Sequence, residues 1–296
     1  MIDAKWIGAL ACPRCRTPFR ELPAAGGIAC PACAEVFPVE SGTPVLMEPD
    51  RRDRIARSRT EWVERSAVPP WPHAVVKALR SPDPAHGRAA RNLLKRLDAR
   101  IRPGDRILDL GCGAPGLAAP ALRLDLAPAP GVDVAGDGHR LPFADASVNG
   151  VIAHHVLEHV EDPPAVVAEI RRILAPGGWV SAVVPFLAPA HRNPIDQVRY
   201  PEDGLRHLFR ECSIEELDWL LGPTAALAWF LKEYIAVLAP FSNHPRVYAS
   251  VREGAGWLLA PLTIIDRMLT RKRYAPKIAC AFHVLARVAP PPANQG

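Results

Sequence analysis

A short stretch near the middle of the chain, Ile107-Leu-Asp-Leu-Gly-Cys-Gly-Ala-Pro-Gly116, constrains the fold more than any other segment. It predicts a buried strand that ends in a glycine-rich turn, because Gly111, Gly113 and Gly116 have the spacing G-x-G-x-x-G. Glycines at such a turn let the backbone approach a nucleotide-like ligand closely, since no Cβ stands in the way. The pattern alone is weak, because dinucleotide-binding folds share it.

Strands and helices alternate around this stretch. The apolar patterns predict strands over 106–110, 122–126, 131–135, 147–153 and 179–184, a helix over 164–174 that is ended by Pro176-Gly-Gly178, a helix-like segment over 155–160 and a last strand over 278–288. Such alternation is typical of a Rossmann-like α/β fold, with a parallel sheet and helices on both faces. In these sheets the ligand lies beyond the carboxyl ends of the strands, where the loops converge.

Four of the seven cysteines fall in two pairs near the N-terminus. Cys12-Pro-Arg-Cys15 and Cys30-Pro-Ala-Cys33 have the spacing C-x2-C-x14-C-x2-C. Each pair sits on a tight turn that can direct two thiolates at one tetrahedral ion, and zinc suits four sulfur ligands. Free or redox-active thiols are the alternative, which the doubled spacing makes less favoured. A ribbon this short builds little apolar core, so a metal ion would supply its folding energy.

Composition limits the function classes. The chain of 296 residues is 49% hydrophobic, which is enough for one large domain and a small one. A net charge of +5 is too mild to indicate nucleic-acid binding. The scattered remaining cysteines do not form a disulfide framework. We find no signal peptide and no apolar run long enough for a transmembrane helix, and we therefore expect a cytoplasmic protein.

We expect three parts: a zinc ribbon over 1–48, a helical linker or lid over 49–100, and a main domain over 101–296 that includes a C-terminal helical cap and the last strand. The apolar helices of the cap leave two interpretations open. Packing on the domain is favoured, because the strand that follows draws them back onto the sheet. Contact with a membrane surface is the alternative, because a basic end adjoins an apolar face.

Four motifs in order resemble a class I S-adenosylmethionine-dependent methyltransferase. They are Asp-Leu-Gly-Cys-Gly, Asp-Gly-x-x-Leu-Pro-Phe-x-Asp-x-Ser-Val, Val-Leu-Glu-His-Val and Leu-x-Pro-Gly-Gly, and the match over about residues 101–240 is most similar to the methyltransferase-type-11 family. A nicotinamide-binding fold predicts neither the Leu-Pro-Phe loop nor the Pro-Gly-Gly turn. The tail after the second cysteine pair, Phe-Pro-x-x-x-Gly-x-Pro-x-Leu, is similar to that of the small zinc-ribbon family that activates methyltransferases.

The resemblance implies a set of residues that bind S-adenosylmethionine. The glycine turn would pack against the methionine part, Asp109 would face its amino group, Asp125 would accept the ribose hydroxyls, and Asp137 would accept the adenine amine. Asp133 competes with Asp125 for the ribose. The full expected set is Asp109, Gly111, Cys112, Gly113, Asp125, Asp137, Gly138 and His154.

One departure from the family pattern concerns the first helix. About nine residues separate Gly116 from Asp125, and Pro120 lies between them. A helix with its loops needs more room, so we expect it to be truncated or replaced by a loop. This shortening leaves open a degenerate site that does not catalyse.

Candidate catalytic residues follow the fourth and fifth strands. In many members of the resembled family a His…Asp…Arg-Tyr segment crosses the mouth of the methyl-donor pocket, and here it begins at His191. The resulting candidates are His191 as a general base, Asp196, Tyr200 and His155. An Asp196–Arg199 ion pair that only fixes the loop is equally favoured.

The expected function is therefore methyl transfer from S-adenosylmethionine to a small-molecule, sugar or lipid-linked acceptor. Two alternatives stay open. An RNA methyltransferase would use the ribbon for docking, although weak basicity and the lack of an Asn/Asp-Pro-Pro-Tyr motif count against it. A non-catalytic zinc-ribbon scaffold would keep the fold without the activity.

Overall fold

The structure is a computed structural model and describes residues 2–21, 26–55, 81, 84–113, 121–190, 195–269 and 272–288. The strands are β1 (Gly27–Ala29), β2 (Val36–Glu40), β3 (Thr43–Pro44), β4 (Ile107–Leu110), β5 (Leu122–Asp125), β6 (Val134–Ala135), β7 (Val148–His154), β8 (Leu174–Pro185), β9 (Ser213–Leu221) and β10 (Ala281–Arg287). The described helices are α1 (49–55), α2 (Pro84–Asp98), α3 (Pro163–Ile173), α4 (Glu202–Leu208), α5 (Pro223–Leu238), α6 (Pro245–Leu259) and α7 (Asp266–Leu269).

Seven strands form the central sheet, in the order β6-β5-β4-β7-β8-β10-β9. The first five are parallel, and β10 runs antiparallel between β8 and β9. The Rossmann-like sheet expected from the alternation is confirmed. The carboxyl ends of β4, β5, β6, β7, β8 and β9 consequently meet at one edge of the sheet, together with the start of β10.

The strand β9 was not predicted. Its sequence, Ser-Ile-Glu-Glu-Leu-Asp-Trp-Leu-Leu, breaks the alternation of apolar and polar residues with two adjacent acids. Glu215 forms an ion pair with Arg100, and Glu216 pairs with Arg96. An edge strand tolerates such residues, because one of its sides faces solvent.

Two local predictions were wrong. The strand β8 begins at Leu174, directly after α3, so Pro176-Gly-Gly178 lies within the strand instead of ending the helix. Residues 155–160 form turns and not a helix. The predicted helical linker over 49–100 is described only for 49–55, 81 and 84–100.

The N-terminal ribbon joins the sheet at the β6 end. The strands β1, β2 and β3 form a small antiparallel sheet, and Leu46 N donates to Ala135 O of β6 at 2.8 Å. Val45 forms a parallel bridge with the same residue. The ribbon thereby continues the central sheet beyond β6.

The ribbon also holds the loop that follows β6. Ala11 N donates to Pro142 O at 2.9 Å, and Ala144 N donates to Ala9 O at 2.8 Å. The Trp6 and Phe143 rings lie 5.7 Å apart between centroids. Ribbon and sheet share one hydrophobic core, so the packing is continuous across residue 48. The domain boundary expected at this residue stays a prediction.

Among the described residues, no helix combines the length and apolar character needed to cross a bilayer. The C-terminal helices α5 and α6 pack against each other, and α5 covers the sheet through Ala225 and Ala226, which are buried with Leu221 of β9. One face of α5 thus packs on the sheet, and the cap interpretation stays a prediction.

Candidate active site

The glycine turn after β4 has the backbone that only glycine adopts readily. Gly111 and Gly113 have φ angles of +65° and +47°. A Cβ on Gly111 would lie 2.6 Å from Cγ2 of Val156, so a side chain cannot be placed there. Gly113 N donates to Asp125 Oδ2 at 3.2 Å, and Gly111 N donates to Leu124 O at 2.8 Å. The turn is therefore fixed to the end of β5 and packs against the segment after β7. Gly116 lies outside the described residues.

Asp125 occupies the end of β5 beside this turn, and its other oxygen accepts from Leu126 N at 2.7 Å. Asp133, the competing acid, is engaged elsewhere. It accepts from Arg123 N at 2.9 Å and pairs with the Arg123 guanidinium at 3.5 Å. Asp125 therefore contacts the glycine turn, whereas Asp133 contacts Arg123.

Asp109 lies in β4 just before the turn. Burial raises the pKa of its carboxyl group to about 7, while Arg123 lowers it and Asp125 raises it. Among the described residues, no hydrogen bond to this carboxyl group is present. A half-buried acid with spare acceptor atoms suits an ammonium group. Cys112 is buried next to it, and burial together with the two aspartates raises the pKa of the thiol to about 12.

Asp137, which follows β6, is buried and fully engaged. Its Oδ2 accepts from Arg51 Nε at 2.6 Å, and its Oδ1 lies 2.8 Å from His139 Nδ1 and accepts from His139 N at 3.0 Å. Burial opposes ionisation, but the His139 hydrogen bonds and the Arg51 charge lower the pKa of Asp137. Gly138 beside it is buried, and a Cβ there would lie 3.4 Å from Cγ1 of Val166 in α3.

Arg51 is a site neighbour that the sequence did not reveal. It lies in α1 and also donates to Glu161 at 2.9 Å, so one guanidinium joins the linker helix to two loops of the sheet edge. The sequence indicated only a solvated segment of mixed charge. No spacing or motif marks one arginine among its neighbours there.

His154, at the end of β7, belongs to a polar network within the sheet. Its Nε2 lies 2.9 Å from Ser181 Oγ, which lies 3.0 Å from Nε2 of His283. Burial lowers the pKa of His154 to about 3 and that of His283 to about 4, so both rings are neutral at pH 7. The expected contact of His154 with the cofactor stays a prediction. In the structure, Nε2 of this ring contacts Ser181 Oγ.

A cavity of about 370 Å³ lies at the same edge of the sheet, beyond the glycine turn. His155, Pro185 and Leu221, from the carboxyl ends of β7, β8 and β9, line one side of it. The helices α5 and α6 line the other side.

 Trp229 and Leu259 supply the large apolar side chains of this second wall. The cavity thus combines an apolar interior with the sheet edge at which the glycine turn lies.

Charged residues of α5 and α6 also line the cavity, and they are paired with one another. Arg252 donates to Glu233 at 2.5 Å and also contacts Glu253. Tyr248 donates to the same Glu233 carboxylate. These contacts fix the packing of α5 on α6 and give one side of the cavity a polar lining.

His155 connects the cavity with the glycine turn. It has a φ of +57°, which is unusual for a residue with a side chain, and its Nδ1 lies 3.3 Å from Glu158 Oε1. Glu158 is 0% exposed, and its Oε2 has no hydrogen-bond partner among the residues that the structure describes. Val156, the next residue, packs against Gly111 of the turn. Unusual backbone held by packing is characteristic of functional sites, so His155 is the candidate that the geometry favours.

Among the described residues, the catalytic candidates Asp196 and Tyr200 do not line this cavity. Asp196 Oδ1 accepts from Arg199 Nε at 2.8 Å, so the two side chains form an ion pair. Tyr200 is partly buried against the main core, and burial raises the pKa of its hydroxyl group. His191 lies outside the described residues. The catalytic roles of these three residues stay predictions.

The four ribbon cysteines converge as their spacing predicts. Their sulfur atoms all lie within 4.8 Å of one another, with Cys12 and Cys33 at 3.7 Å and Cys15 and Cys30 at 3.4 Å. Tetrahedral zinc with bonds of about 2.3 Å separates its sulfur ligands by about 3.8 Å. The donor set and its spacing therefore fit zinc.

Comparison with known proteins agrees with this geometry. Residues 84–222 match a family model described as a methyltransferase domain. The chain is 37% identical over 110 residues to an uncharacterised 37.1 kDa protein of transposon TN4556 from Streptomyces fradiae, a match that covers 29% of this chain and 31% of that protein. It is 32% identical over 114 residues to a ubiquinone biosynthesis O-methyltransferase from Paracidovorax citrulli, covering 30% and 45% of the two chains.

Among solved structures, a geranyl diphosphate methyltransferase in complex with SAM is similar at 17% identity and a TM-score of 0.42, covering 68% of this chain and 84% of that one. The chain spans less than half the length of the two curated relatives described above. The family match, the strand order and the glycine turn agree on one domain type. Over residues 84–222 this chain is thus similar to a methyltransferase domain.

Proposed function

We propose that this protein transfers a methyl group from S-adenosylmethionine to a small acceptor bound in the cavity beside His155. The contact between Gly111 and Val156 carries the proposal, because Val156 directly follows His155, which lines the cavity. A donor on the turn and an acceptor in the cavity would then meet at one edge of the sheet. Alignment of the two reactants is the main requirement of this reaction.

The residues around the turn fit the donor. Asp109 offers a carboxyl group to its ammonium group, and Asp125 offers two oxygens to the ribose hydroxyls, which both donate hydrogen bonds. Asp137 would accept the adenine amine alongside its bonds from Arg51 and His139, since a carboxylate offers about four acceptor sites. The bound donor supplies an electrophilic methyl group on sulfur.

The cavity suggests the acceptor class. Its apolar wall favours a hydrocarbon body, and its charged residues favour a polar group. A small molecule, a sugar or a lipid-linked compound would fit this description. The similarity to an O-methyltransferase makes acceptors with hydroxyl groups the first to test.

His155 is positioned to receive the proton that a hydroxyl acceptor loses. A bound donor would supply the methyl group to the acceptor oxygen and would keep the electron pair of the carbon–sulfur bond on its sulfur. The acceptor proton passes to a nitrogen of His155, and Glu158 stabilises the resulting imidazolium. The products are the methylated acceptor and the uncharged thioether of the donor.

We further propose that the ribbon binds zinc in a structural role. Four thiolates complete the tetrahedral shell and leave no open position for a substrate. The ribbon would brace the loop after Asp137 through its contacts with Pro142 and Phe143.

Transfer of a labelled methyl group to fractionated cell extract tests the proposed function. We expect label in the small-molecule or lipid fraction and none in RNA. His155→Gln should reduce kcat/KM by roughly 10²–10⁴-fold without weakening binding of the donor, whereas His159→Gln on the neighbouring turn should retain most activity. Label in RNA would support the docking alternative, and no label in any fraction with intact donor binding would contradict the proposed acceptor class.

A further inference from the structure

The helix α5 is apolar on both of its faces. Ala225, Ala228 and Ala236 are buried on one face. The opposite face carries large apolar side chains that are between 46% and 64% exposed, namely Leu227, Phe230, Tyr234, Val237 and Leu238. These five residues recur at helical spacing and form one stripe along the helix. A helix with two apolar faces is ordinarily covered on both of them, so the exposed stripe indicates a binding surface.

The exposed stripe continues on the elements that pack against α5. The helix α6, the short 3-10 helix Ala260–Ile265 and α7 all contact α5. They expose further large apolar side chains, namely Trp257, Leu258, Ile264 and Met268. We call these four residues and the five of the α5 stripe the C-terminal apolar surface. So many large apolar side chains exposed on neighbouring elements favour an interaction partner.

The segment that carries this surface is mostly basic. Residues 223–280 contain eight basic and three acidic residues, a net charge of +5 that equals the net charge of the whole chain. All three acids are occupied within the protein: Glu233 and Glu253 pair with Arg252, and Asp266 accepts from the first backbone amides of α5. Exposed basic residues include Lys272, Arg273 and Lys277.

We propose that the C-terminal apolar surface docks on an anionic lipid bilayer. Apolar side chains would enter the interface while Lys272, Arg273 and Lys277 face acidic headgroups, and Trp257 and Tyr234 suit the boundary between the two. A second copy of this chain is a poorer occupant, because the segment offers no exposed acid to meet these basic residues. Nucleic acid is poorer still, because it offers no partner for so many aliphatic side chains.

The same helices would link membrane docking to the cavity. Trp229 and Lys232 of α5 line the cavity, on the side of the helix that faces away from the exposed stripe. A bilayer under α5 and α6 would therefore lie one helix away from the cavity. The docking proposal itself does not depend on methyl transfer.

Vesicle co-sedimentation tests the proposal with the full chain. The probes are vesicles of phosphatidylcholine and vesicles of phosphatidylcholine and phosphatidylglycerol in equal parts. We expect sedimentation with the anionic vesicles only, and a loss of at least about tenfold in affinity for both Phe230→Gln/Leu238→Gln and Lys272→Glu/Arg273→Glu. Circular dichroism melting checks that each variant is folded.

Matched controls change the same chemistry elsewhere. Ile7→Gln/Val36→Gln alters apolar side chains that are 47% and 59% exposed on the ribbon, and Arg206→Glu/Arg210→Glu reverses exposed charges on and after α4. Both control variants should bind anionic vesicles like the unchanged protein. No binding by the unchanged protein, or equal binding by all variants, would overturn the proposal. Light scattering that shows a dimer abolished by Phe230→Gln/Leu238→Gln, without vesicle binding, would assign the surface to a second copy.

Discussion

At the scale of single residues, the site depends on carboxyl groups whose surroundings differ sharply. Asp109 is half-buried without a hydrogen bond from the described residues, and burial raises its pKa to about 7. Asp137 is buried and is held by Arg51 and His139, which lower its pKa. Asp109 can thus still accept hydrogen bonds from a ligand, whereas Asp137 already contacts two side chains.

Asp109 should make the stability of the protein depend on pH. Because folding raises its pKa from 3.8 to about 7, its stabilising contribution is full below pH 3.8 and is lost as the pH rises through 7. Between pH 5 and pH 8 the unchanged protein should lose roughly 2–3 kcal/mol relative to Asp109→Asn. Urea unfolding at the two pH values measures this difference. Asp203→Asn, at an exposed position, should show no such difference, and equal pH dependence of Asp109→Asn and the unchanged protein would contradict the assignment.

At the scale of elements, the linker helix α1 is part of the site and not a passive connection. Arg51 of α1 bonds to Asp137 and Glu161, which belong to two different loops of the sheet edge. The ribbon, in turn, holds the loop after Asp137 through backbone hydrogen bonds. The adenine end of the expected donor site is therefore assembled from three segments that are distant in sequence.

Removal of this guanidinium should destabilise the fold. Arg51→Ala leaves the buried Asp137 carboxylate without its cationic partner and should reduce the free energy of unfolding by roughly 1–3 kcal/mol at pH 7. The loss should shrink as the pH falls below the ordinary aspartate pKa of about 3.9, where the unfolded chain is protonated. Arg52→Ala, its exposed neighbour, should cost less than about 0.5 kcal/mol. Equal effects of the two substitutions on the free energy of unfolding in urea would show that the Arg51–Asp137 contact does not stabilise the fold specifically.

The sequence predicts the periodic and local features well. Strands β4, β5 and β7, helix α3 and the cysteine cluster follow from apolar spacing and turn chemistry. The strand β9 was missed because its two adjacent acids form ion pairs with arginines on α2 and just after it. No local sequence pattern specifies such pairs. The Arg51–Asp137 pair and the His155–Glu158 contact depend on loops that only the folded sheet brings together.

At the scale of the whole molecule, the ribbon and the sheet act as one folding unit. Trp6, Leu10, Phe19 and Phe37 of the ribbon are buried in the same core as Phe143. A metal ion that holds the ribbon should consequently stabilise the entire chain, because unfolding of the ribbon exposes one side of the sheet.

Removal of zinc tests this coupling. Treatment with a chelator, or Cys15→Ser, should lower the midpoint of thermal unfolding by about 10 °C, since a structural zinc site contributes several kcal/mol. Cys212→Ser, a cysteine remote from the ribbon, should not change the response to chelator. Calorimetry that shows a separate ribbon transition, with the main transition unmoved, would contradict a shared folding unit.

The central claim is that the glycine turn and Asp125 bind S-adenosylmethionine, and calorimetric titration with S-adenosylhomocysteine tests it most directly. We predict micromolar binding to the unchanged protein, on the order of 10–100-fold weaker binding to Asp125→Ala because hydrogen bonds to a charged group are lost, and little change in Asp133→Ala. No binding to the folded, zinc-loaded protein, or equal losses in the two variants, would contradict the site and favour a scaffold that kept the fold without the chemistry.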